Sequence, residues 1–190
     1  SCRSVHKSIV AADSQKVLDE AVSVGADHCL LRPLELSEEF IGVDAVLQYC
    51  LEELNKNKYF PDVVVYLSIT NPFRPKLLLD DLINMLINGH YDTVMPSIKE
   101  YRSCWVKNNE QVNRVDEGFM PHNYKNPVHI GISGLGTATF SDVLNRHGRL
   151  GDTIGIIEIE DITCGIDLRD KHGKYIADKV LKKWWQDNTN

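Results

Sequence analysis

Four polar side chains follow a short apolar run near the middle of the chain, and their types suit the binding of a polar ligand. The run is residues 63–67, VVVYL, which is uncharged and β-branched and therefore predicts a strand buried on both faces. Ligands of open α/β sheets bind beyond the carboxyl ends of such strands. Hydroxyl and amide groups can bind polar ligands there, and the planar fork of arginine suits a carboxylate. The four residues are Ser68, Thr70, Asn71 and Arg74.

The same residues are compatible with an ordinary turn between a strand and a helix. Thr70 or Asn71 could cap a helix that begins near Pro75, since threonine and asparagine favour that position. The composition of the turn does not separate a binding site from a helix cap.

The composition excludes several classes of function. The 190 residues carry a net charge of -6 at pH 7, with 43% hydrophobic and 25% charged residues, as is typical of soluble globular proteins. Such an acidic chain lacks the basic surface that nonspecific nucleic-acid binding needs. No apolar run approaches the ~20 residues that cross a bilayer, and no signal-peptide pattern is present. Five scattered cysteines favour free thiols in a reducing compartment, so we predict a cytoplasmic protein. From the charge and the apolar runs we also predict that it has no nucleic-acid or membrane partner.

Apolar periodicity predicts that strands and helices alternate along most of the chain. Strands are expected at about 8–11, 26–31, 63–67, 91–97, 128–133 and 153–159, and helices at about 13–24, 43–54, 76–88, 141–146 and 170–186. This alternation predicts a single α/β domain over residues 1–190, with a mainly parallel sheet covered by helices.

The alternation stops between residues 99 and 127. Residues 105–112, WVKNNEQV, resemble a hairpin, and a polar segment with two prolines follows them. An insertion of this kind is usually either a lid or a dimerisation arm.

A glycine-containing stretch, residues 126–136 (NPVHIGISGLG), does not have the pattern of a phosphate-binding loop. Gly131, Gly134 and Gly136 are not spaced as GxGxxG, so we interpret them as turn or close-packing positions. His129 lies in a predicted apolar strand, and we interpret it as a core residue rather than a catalyst.

Four stretches, in order along the chain, resemble motifs of one family. Residues 9–27 (IVAADSQKVLDEAVSVGAD) resemble a strand, an STD turn and a helix ending in YGA, and residues 31–37 (LRPLELS) resemble LRPxELA. Residues 67–74 (LSITNPFR) resemble LQPTSPLR, and residues 164–170 (CGIDLRD) fall where DIDxxxD precedes the last helix. On these motifs the chain is similar to the CMP-N-acylneuraminate (CMP-sialic acid) synthetases, a cytidylyltransferase family.

The resemblance implies a fold, a reaction and a set of site residues. The fold would be a Rossmann-like three-layer αβα sandwich of the nucleotide-diphospho-sugar transferase type, with residues 99–127 as the dimerisation arm of a homodimer. The reaction would join CTP to an acidic nonulosonic sugar and release pyrophosphate, with Mg²⁺ as cofactor. Asp167 would hold the metal, and Arg74 and Asp167 would be catalytic. The residues implied for substrate binding are Arg32, Ser68, Thr70, Asn71, Arg74, His122 and Tyr124.

Structural roles remain open as alternatives at several of these positions. Asp167 could instead cap the last helix or pair with Arg169, and Arg32 could form a surface ion pair with Glu35. His122 and Tyr124 could pack a subunit interface rather than reach the pocket of a neighbouring subunit.

The chain departs from the family pattern at several places, among them Ile69, where the family has proline, and Ala11 and Ala12, where it has serine and threonine. No glycine-rich basic loop, which wraps the triphosphate in the family, precedes Ile9. Ser68 stands where the family has glutamine, and Gly165 replaces the first aspartate of DID. Either about one βα unit is omitted or the triphosphate clamp is lost. The alternative hypothesis is therefore a weakened or inactive relative that acts as a binding or dimer-forming subunit. The HIGI sequence around His129 is also reminiscent of a branch that uses an eight-carbon acidic sugar.

Overall fold

A computed structural model describes residues 2–38 and 40–189 of the chain. The residues form two compact units, and each is described by itself. The first unit contains Ser1–Tyr66, Lys76–Val94 and Gly136–Gly155. The second contains Leu67–Pro75, Met95–Leu135 and Ile156–Asn190. The single domain expected over residues 1–190 stays a prediction.

The described residues form a mixed α/β structure in which strands and helices alternate except in the inserted segment. The strands are β1 (Ile9–Ala12), β2 (His28–Leu31), β3 (Val63–Tyr66), β4 (Thr93–Glu100), β5 (Trp105–Asn108), β6 (Gln111–Arg114), β7 (Val128–Gly131), β8 (Thr137–Phe140) and β9 (Ile154–Glu158). The helices are α1 (Gln15–Ser23), α2 (Val43–Lys56), α3 (Leu78–Asn88), α4 (Ser141–His147) and α5 (Lys171–Thr189). Three short 3-10 turns lie at Leu34–Leu36, His122–Tyr124 and Ile162–Gly165.

Local sequence explains where these helices begin and end. Gly25 follows the end of α1 with φ of +94°, a left-handed conformation that glycine adopts without a steric penalty. Two aspartates in the first turn of α3, Asp80 and Asp81, favour the positive end of its dipole. Asp80 also accepts hydrogen bonds from the backbone N–H groups of Arg3 and Ser4, at 3.0 and 2.9 Å. The N-terminal segment is thereby fixed to the start of α3.

The strand pairing corrects the expectation of a mainly parallel sheet. Strands β1 and β2 pair in parallel, with Ile9 opposite His28. In the first unit β8 lies between β3 and the start of β4 and is antiparallel to both. The sequence reading missed β8, a four-residue strand, TATF, that is almost completely buried. Because this strand separates β3 from β4, the two do not pair with each other.

Strands β1, β2 and β3 of the first unit each keep one edge without a strand partner among residues 2–38 and 40–189. β1 is paired only with β2, and β3 only with β8. Neither β1 nor β3 carries a charged residue, since their sequences are IVAA and VVVY. The backbone groups on these edges can therefore bind water or a further strand.

The second unit contains the rest of β4, which pairs antiparallel with β7 through Ser97 opposite Gly131 and Glu100 opposite Val128. Strand β9 also pairs with β4. The predicted hairpin is present as β5 and β6, with Trp105 opposite Arg114. We call residues 99–127, which contain this hairpin, the arm.

A pair of neighbouring substitutions on α3 tests the core of the first unit. Leu86 has no exposed surface, whereas the adjacent Ile87 is 56% exposed. Leu86→Ala is expected to lower the free energy of unfolding by about 2–5 kcal/mol, because it leaves a cavity that the packed interior fills only in part. Ile87→Ala should change it by less than about 1 kcal/mol. Urea denaturation of both variants measures the difference, and equal effects would contradict the packing described for α3.

None of the helices described is both long enough and apolar enough to span a membrane. The cytoplasmic location stays a prediction.

Candidate functional site

The segment after β3, residues 68–74, is a turn stabilised by its own hydroxyl groups. We call it the tip. Ser68 and Thr70 share a hydrogen bond between their hydroxyls at 2.8 Å, and the backbone N–H of Thr70 donates to Ser68 Oγ at 3.2 Å. The backbone N–H of Ser68 donates to the carbonyl of Gly134 at 2.8 Å. Serine and threonine favour such turns because their side chains bond nearby backbone groups. Both hydroxyls are half-buried and already orient one another.

Arg74 ties the tip to the segment after β7. Its Nε donates to the carbonyl of Leu135 at 3.0 Å. Its Nη2 donates to the carbonyl of Gly134 at 3.2 Å and to the carbonyl of Ser68. Five N–H donors in a rigid fork allow one guanidinium to hold several carbonyls at once. Arg74 therefore fixes the backbone of the tip, and its predicted contact with a substrate stays a prediction.

Asn71 packs against a glycine. The residue is only 5% exposed, and its Nδ2 donates to the carbonyl of Ile166 at 3.4 Å. A Cβ atom built on Gly134 would lie 1.9 Å from Asn71 Oδ1 and 3.0 Å from the Cβ of Ser68. Only a residue without a side chain fits there, which confirms the close-packing interpretation of Gly134.

The loop before α5 meets the tip. The backbone N–H of Leu168 donates to the carbonyl of Thr70 at 2.8 Å. Asp167 accepts from the backbone N–H of Arg169 at 2.9 Å and from its Nε at 2.9 Å. These bonds from Arg169, followed by one from the Thr70 hydroxyl, hold the pKa of the Asp167 carboxyl below its ordinary value. The carboxylate is charged at neutral pH and 27% exposed.

The structure thus brings together five of the predicted site residues within the second unit: Ser68, Thr70, Asn71, Arg74 and Asp167. Neither Thr70 nor Asn71 caps the helix that follows the tip. Helix α3 begins at Leu78, and the residue that precedes it, Leu77, makes no side-chain cap. The Arg169 pairing proposed as an alternative for Asp167 is present.

The residues around Asp167 fit a metal held mainly by a ligand, not by the protein. Among the described residues no three histidine, cysteine, aspartate or glutamate side chains are grouped as a metal site would require. Magnesium commonly binds one or two carboxylates together with water and substrate phosphates. Asp167 can offer one carboxylate, with the Thr70 hydroxyl beside it. Arg169, 77% exposed, would have to move aside.

The other predicted residues are placed separately. Arg32 belongs to the first unit and lies 3.3 Å from a carboxylate oxygen of Asp13. Its ion-pair partner is thus Asp13 and not Glu35, and its Nε is buried without a hydrogen bond among the described residues. Tyr124 is 75% exposed on the arm. His122 begins the 3-10 turn there, and its side chain lies outside what the structure describes.

One contact beside the site was missed by sequence reasoning. Phe73 has no exposed surface, and its ring packs edge-on against Trp184 of α5 at 5.4 Å between centroids. An aromatic residue inside the polar motif was the available signal, since a large apolar side chain there needs a partner. This packing anchors the tip on α5.

His129 is not the core residue that the sequence interpretation made it. Its ring, 31% exposed, lies in a polar cluster on β4, β7 and β9. Ser97 Oγ lies 3.2 Å from His129 Nδ1, and Glu158 Oε1 lies 3.8 Å from Nε2. Lys99 pairs with Glu158 at 2.5 Å. The antiparallel register of β4 and β7, which places Lys99 opposite His129, creates this cluster.

The fold is similar to those of two solved enzymes. One is 4-diphosphocytidyl-2C-methyl-D-erythritol synthase from Anaerococcus prevotii DSM 20548, with a TM-score of 0.67, 11% identity, and coverage of 95% of this chain and 80% of that enzyme. The other is CMP:2-keto-3-deoxy-manno-octonic acid synthetase complexed with CTP, with a TM-score of 0.52, 15% identity, and coverage of 84% and 74%. At these identities the likeness shows a shared fold alone. No family model and no curated protein sequence matches the chain.

Proposed function

We propose that the chain is a cytidylyltransferase that joins CTP to an acidic nonulosonic sugar of the N-acylneuraminate type, giving the CMP-sugar and pyrophosphate. The sugar hydroxyl would attack the α-phosphate of CTP, and charge develops on the phosphate oxygens as the bond to pyrophosphate breaks.

One observation carries the proposal: the tip and the Asp167 loop, about a hundred residues apart in sequence, are joined in space. The bond from the Leu168 N–H to the Thr70 carbonyl and the bond from Asn71 to the Ile166 carbonyl connect them. The family resemblance implies that these two motifs share one site. A plain surface turn would not need a buried asparagine that reaches the other motif.

The fold likeness supports the same reaction class. Both similar structures are named for cytidylyl chemistry, one as a diphosphocytidyl-methylerythritol synthase and one as a CMP-sugar acid synthetase complexed with CTP. Strand β3 ends just before the tip, and ligands of open α/β sheets bind beyond the carboxyl ends of strands, which supports a site there.

In the proposed site each residue has a distinct task. The hydroxyls of Ser68 and Thr70 would bind sugar or ribose oxygens, and Asn71 would hold the Asp167 loop in register. Arg74 would keep the tip rigid and add positive charge near the phosphates. Magnesium, when bound, would neutralise phosphate charge, with Asp167 as its one carboxylate ligand.

The arm supports the proposed homodimer. It exposes several apolar side chains that a second copy of the chain could cover: Val106, Val112, Val115 and Tyr124 are 42%, 54%, 50% and 75% exposed. Aromatic and aliphatic residues of this kind are typical of subunit interfaces.

A second candidate function is a weakened or inactive relative that acts as a binding or dimer-forming subunit. The observation that favours it is that the polar groups of the site already satisfy one another. Asp167 is paired with Arg169, and Arg74 is bonded to three backbone carbonyls.

Pyrophosphate release from CTP, measured with N-acylneuraminate and eight-carbon acidic sugars, tests the two candidates. An active chain should show release that depends on the sugar. Asp167→Asn should then lower kcat by about 100-fold or more, because it removes the one carboxylate that faces the reacting phosphates. The substitution keeps the size of the side chain, so the melting temperature should change little.

Asp178→Asn is the matched control, since Asp178 is an exposed carboxylate on α5 of the same unit. Its kcat should equal that of the unchanged chain. Absence of sugar-dependent release by the folded protein would end the enzyme hypothesis and leave the binding-subunit alternative.

A further inference from the structure

The arm contains a carboxylate that is completely enclosed by cations and backbone. The Asp116 side chain has no exposed surface. It accepts from Arg114 Nε at 2.8 Å, from Lys125 Nζ at 2.6 Å and from the backbone N–H of Cys104 at 3.0 Å. The bonds from Arg114 and then Lys125 hold the pKa of the Asp116 carboxyl well below its ordinary value, so it is charged at neutral pH.

This cluster has one positive charge more than its carboxylate balances. Arg114 and Lys125 are both cations, and their side chains are only 16% and 5% exposed. Lys125 also donates to the carbonyls of Tyr101 and Arg102, so its three donors are used. The Glu117 carboxylate also interacts with the charge of Lys125, but it is exposed and its hydrogen bonds go to Asn126. An excess cation with little access to water favours an anion beside it.

The guanidinium of Arg114 leaves one of its nitrogens available. Nε and Nη2 donate to Asp116, and Nη2 also donates to Ser103 Oγ and the carbonyl of Gly118. Nη1 makes no hydrogen bond to any residue in the described part of the chain. The rigid bonding of the other two nitrogens fixes the direction in which Nη1 can donate.

Two aromatic rings flank this guanidinium. The Phe119 ring centroid lies 4.6 Å from Arg114 Cζ, and that of Trp105 lies 5.4 Å away. Phe119 is 98% exposed, so the open face of its ring is accessible to a ligand. A cation beside an exposed ring suits a ligand that has both an anionic group and a flat face.

A concavity of about 260 Å³ lies at this point, lined by Tyr101, Ser103, Arg114, Gly118, Phe119, Met120 and Lys125. The volume is slightly below the roughly 300–1,000 Å³ of pockets for small ligands, so a compact molecule would fill it.

We propose that this concavity of the arm is a binding site for a small molecule that carries a phosphate or carboxylate beside a flat ring, such as a nucleoside monophosphate. The anion binds Nη1 of Arg114 in the field of the excess positive charge. The ring stacks on Phe119. The site is separate from the tip and Asp167, and ligand binding there does not depend on the proposed reaction.

Isothermal titration of the full chain with four probes tests the proposal: CMP, cytidine, inorganic phosphate and N-acetylneuraminate. CMP has both features, cytidine lacks the anion, phosphate lacks the ring, and N-acetylneuraminate offers a carboxylate without a flat ring. CMP should bind at least about tenfold more tightly than cytidine or phosphate alone, since both contacts contribute. Affinity should fall as the salt concentration rises.

Phe119→Ala should weaken CMP binding about fivefold or more, because base-on-aromatic stacking is lost. Phe60→Ala is the matched control, since Phe60 is also exposed, at 70%, and belongs to the first unit. Arg114→Lys keeps the positive charge but loses the planar fork of the guanidinium, and it should also weaken CMP binding. CMP binding that Phe119→Ala leaves unchanged would overturn the proposal. A second result would also overturn it: the chain is a dimer, it does not bind CMP, and Phe119→Ala makes it a monomer. A second copy of the chain, and not a small molecule, would then cover the Phe119 ring.

Discussion

The Gly134→Ala variant is expected to lose about 100-fold or more in sugar-dependent pyrophosphate release, the loss that follows when a reacting geometry is displaced by about 1 Å. The added Cβ would meet Asn71 Oδ1 at 1.9 Å, Asn71 Cγ at 2.9 Å and the Cβ of Ser68 at 3.0 Å. Asn71 is buried and bonded to the carbonyl of Ile166, so it cannot turn away without breaking that bond. The tip would therefore shift relative to the Asp167 loop.

Steady-state kinetics together with thermal denaturation measure this effect. Overpacking should also lower the free energy of unfolding by about 1–3 kcal/mol. Gly165→Ala is the control within the same unit, because the nearest atom to its added Cβ is Ile98 Cδ1, at an ordinary contact distance of 3.8 Å. An equal loss in both variants would show that the contact with Asn71 is not what matters.

Removing the ring of Phe73 is expected to have the largest effect on stability. Phe73→Ala should lower the free energy of unfolding by about 3–5 kcal/mol, because it empties a fully buried site and removes the edge-on contact with Trp184. Since Phe73 lies between Pro72 and Arg74, the loss should also loosen the tip. Tryptophan fluorescence during urea denaturation measures this loss, and its signal includes Trp184 together with Trp105 and Trp185.

Phe60→Ala serves as the control here as well, because the same group is removed from a side chain that is 70% exposed. Its effect should stay within about 1 kcal/mol. A Phe73→Ala variant as stable as Phe60→Ala would contradict the packing of the tip on α5.

The two proposed sites are distinguishable by these experiments. The tip variants Gly134→Ala and Asp167→Asn should leave the part of CMP binding that depends on Phe119 unchanged. The arm variant Phe119→Ala should leave the residues around Asp167 in place, since its side chain contacts none of them in the structure described. Loss of one function without the other would separate catalysis from binding at the arm.

Local patterns were sufficient for most elements. The apolar stripe of α3 and the glycine after α1 are short-range signals, and both predictions match the structure within a few residues. The hairpin of the arm was also predicted from its own sequence. Strand β8 was not, because a four-residue run, TATF, next to a helix carries too little periodicity.

What the sequence by itself determined was the identity of the polar residues at the tip and the order of elements that delivers them. The relative direction of paired strands and their order in the sheet were decided only by the tertiary structure. The insertion of β8 between β3 and β4 is a long-range pairing that overrides the parallel expectation, and the polar cluster around His129 follows from the register of β4 with β7. The same holds for the hydrogen bonds from Arg74 to the carbonyls of Gly134 and Leu135 and for the packing of Asn71 against Gly134. These are contacts between segments about sixty residues apart. Side-chain types are local, but their partners depend on how the chain packs in three dimensions.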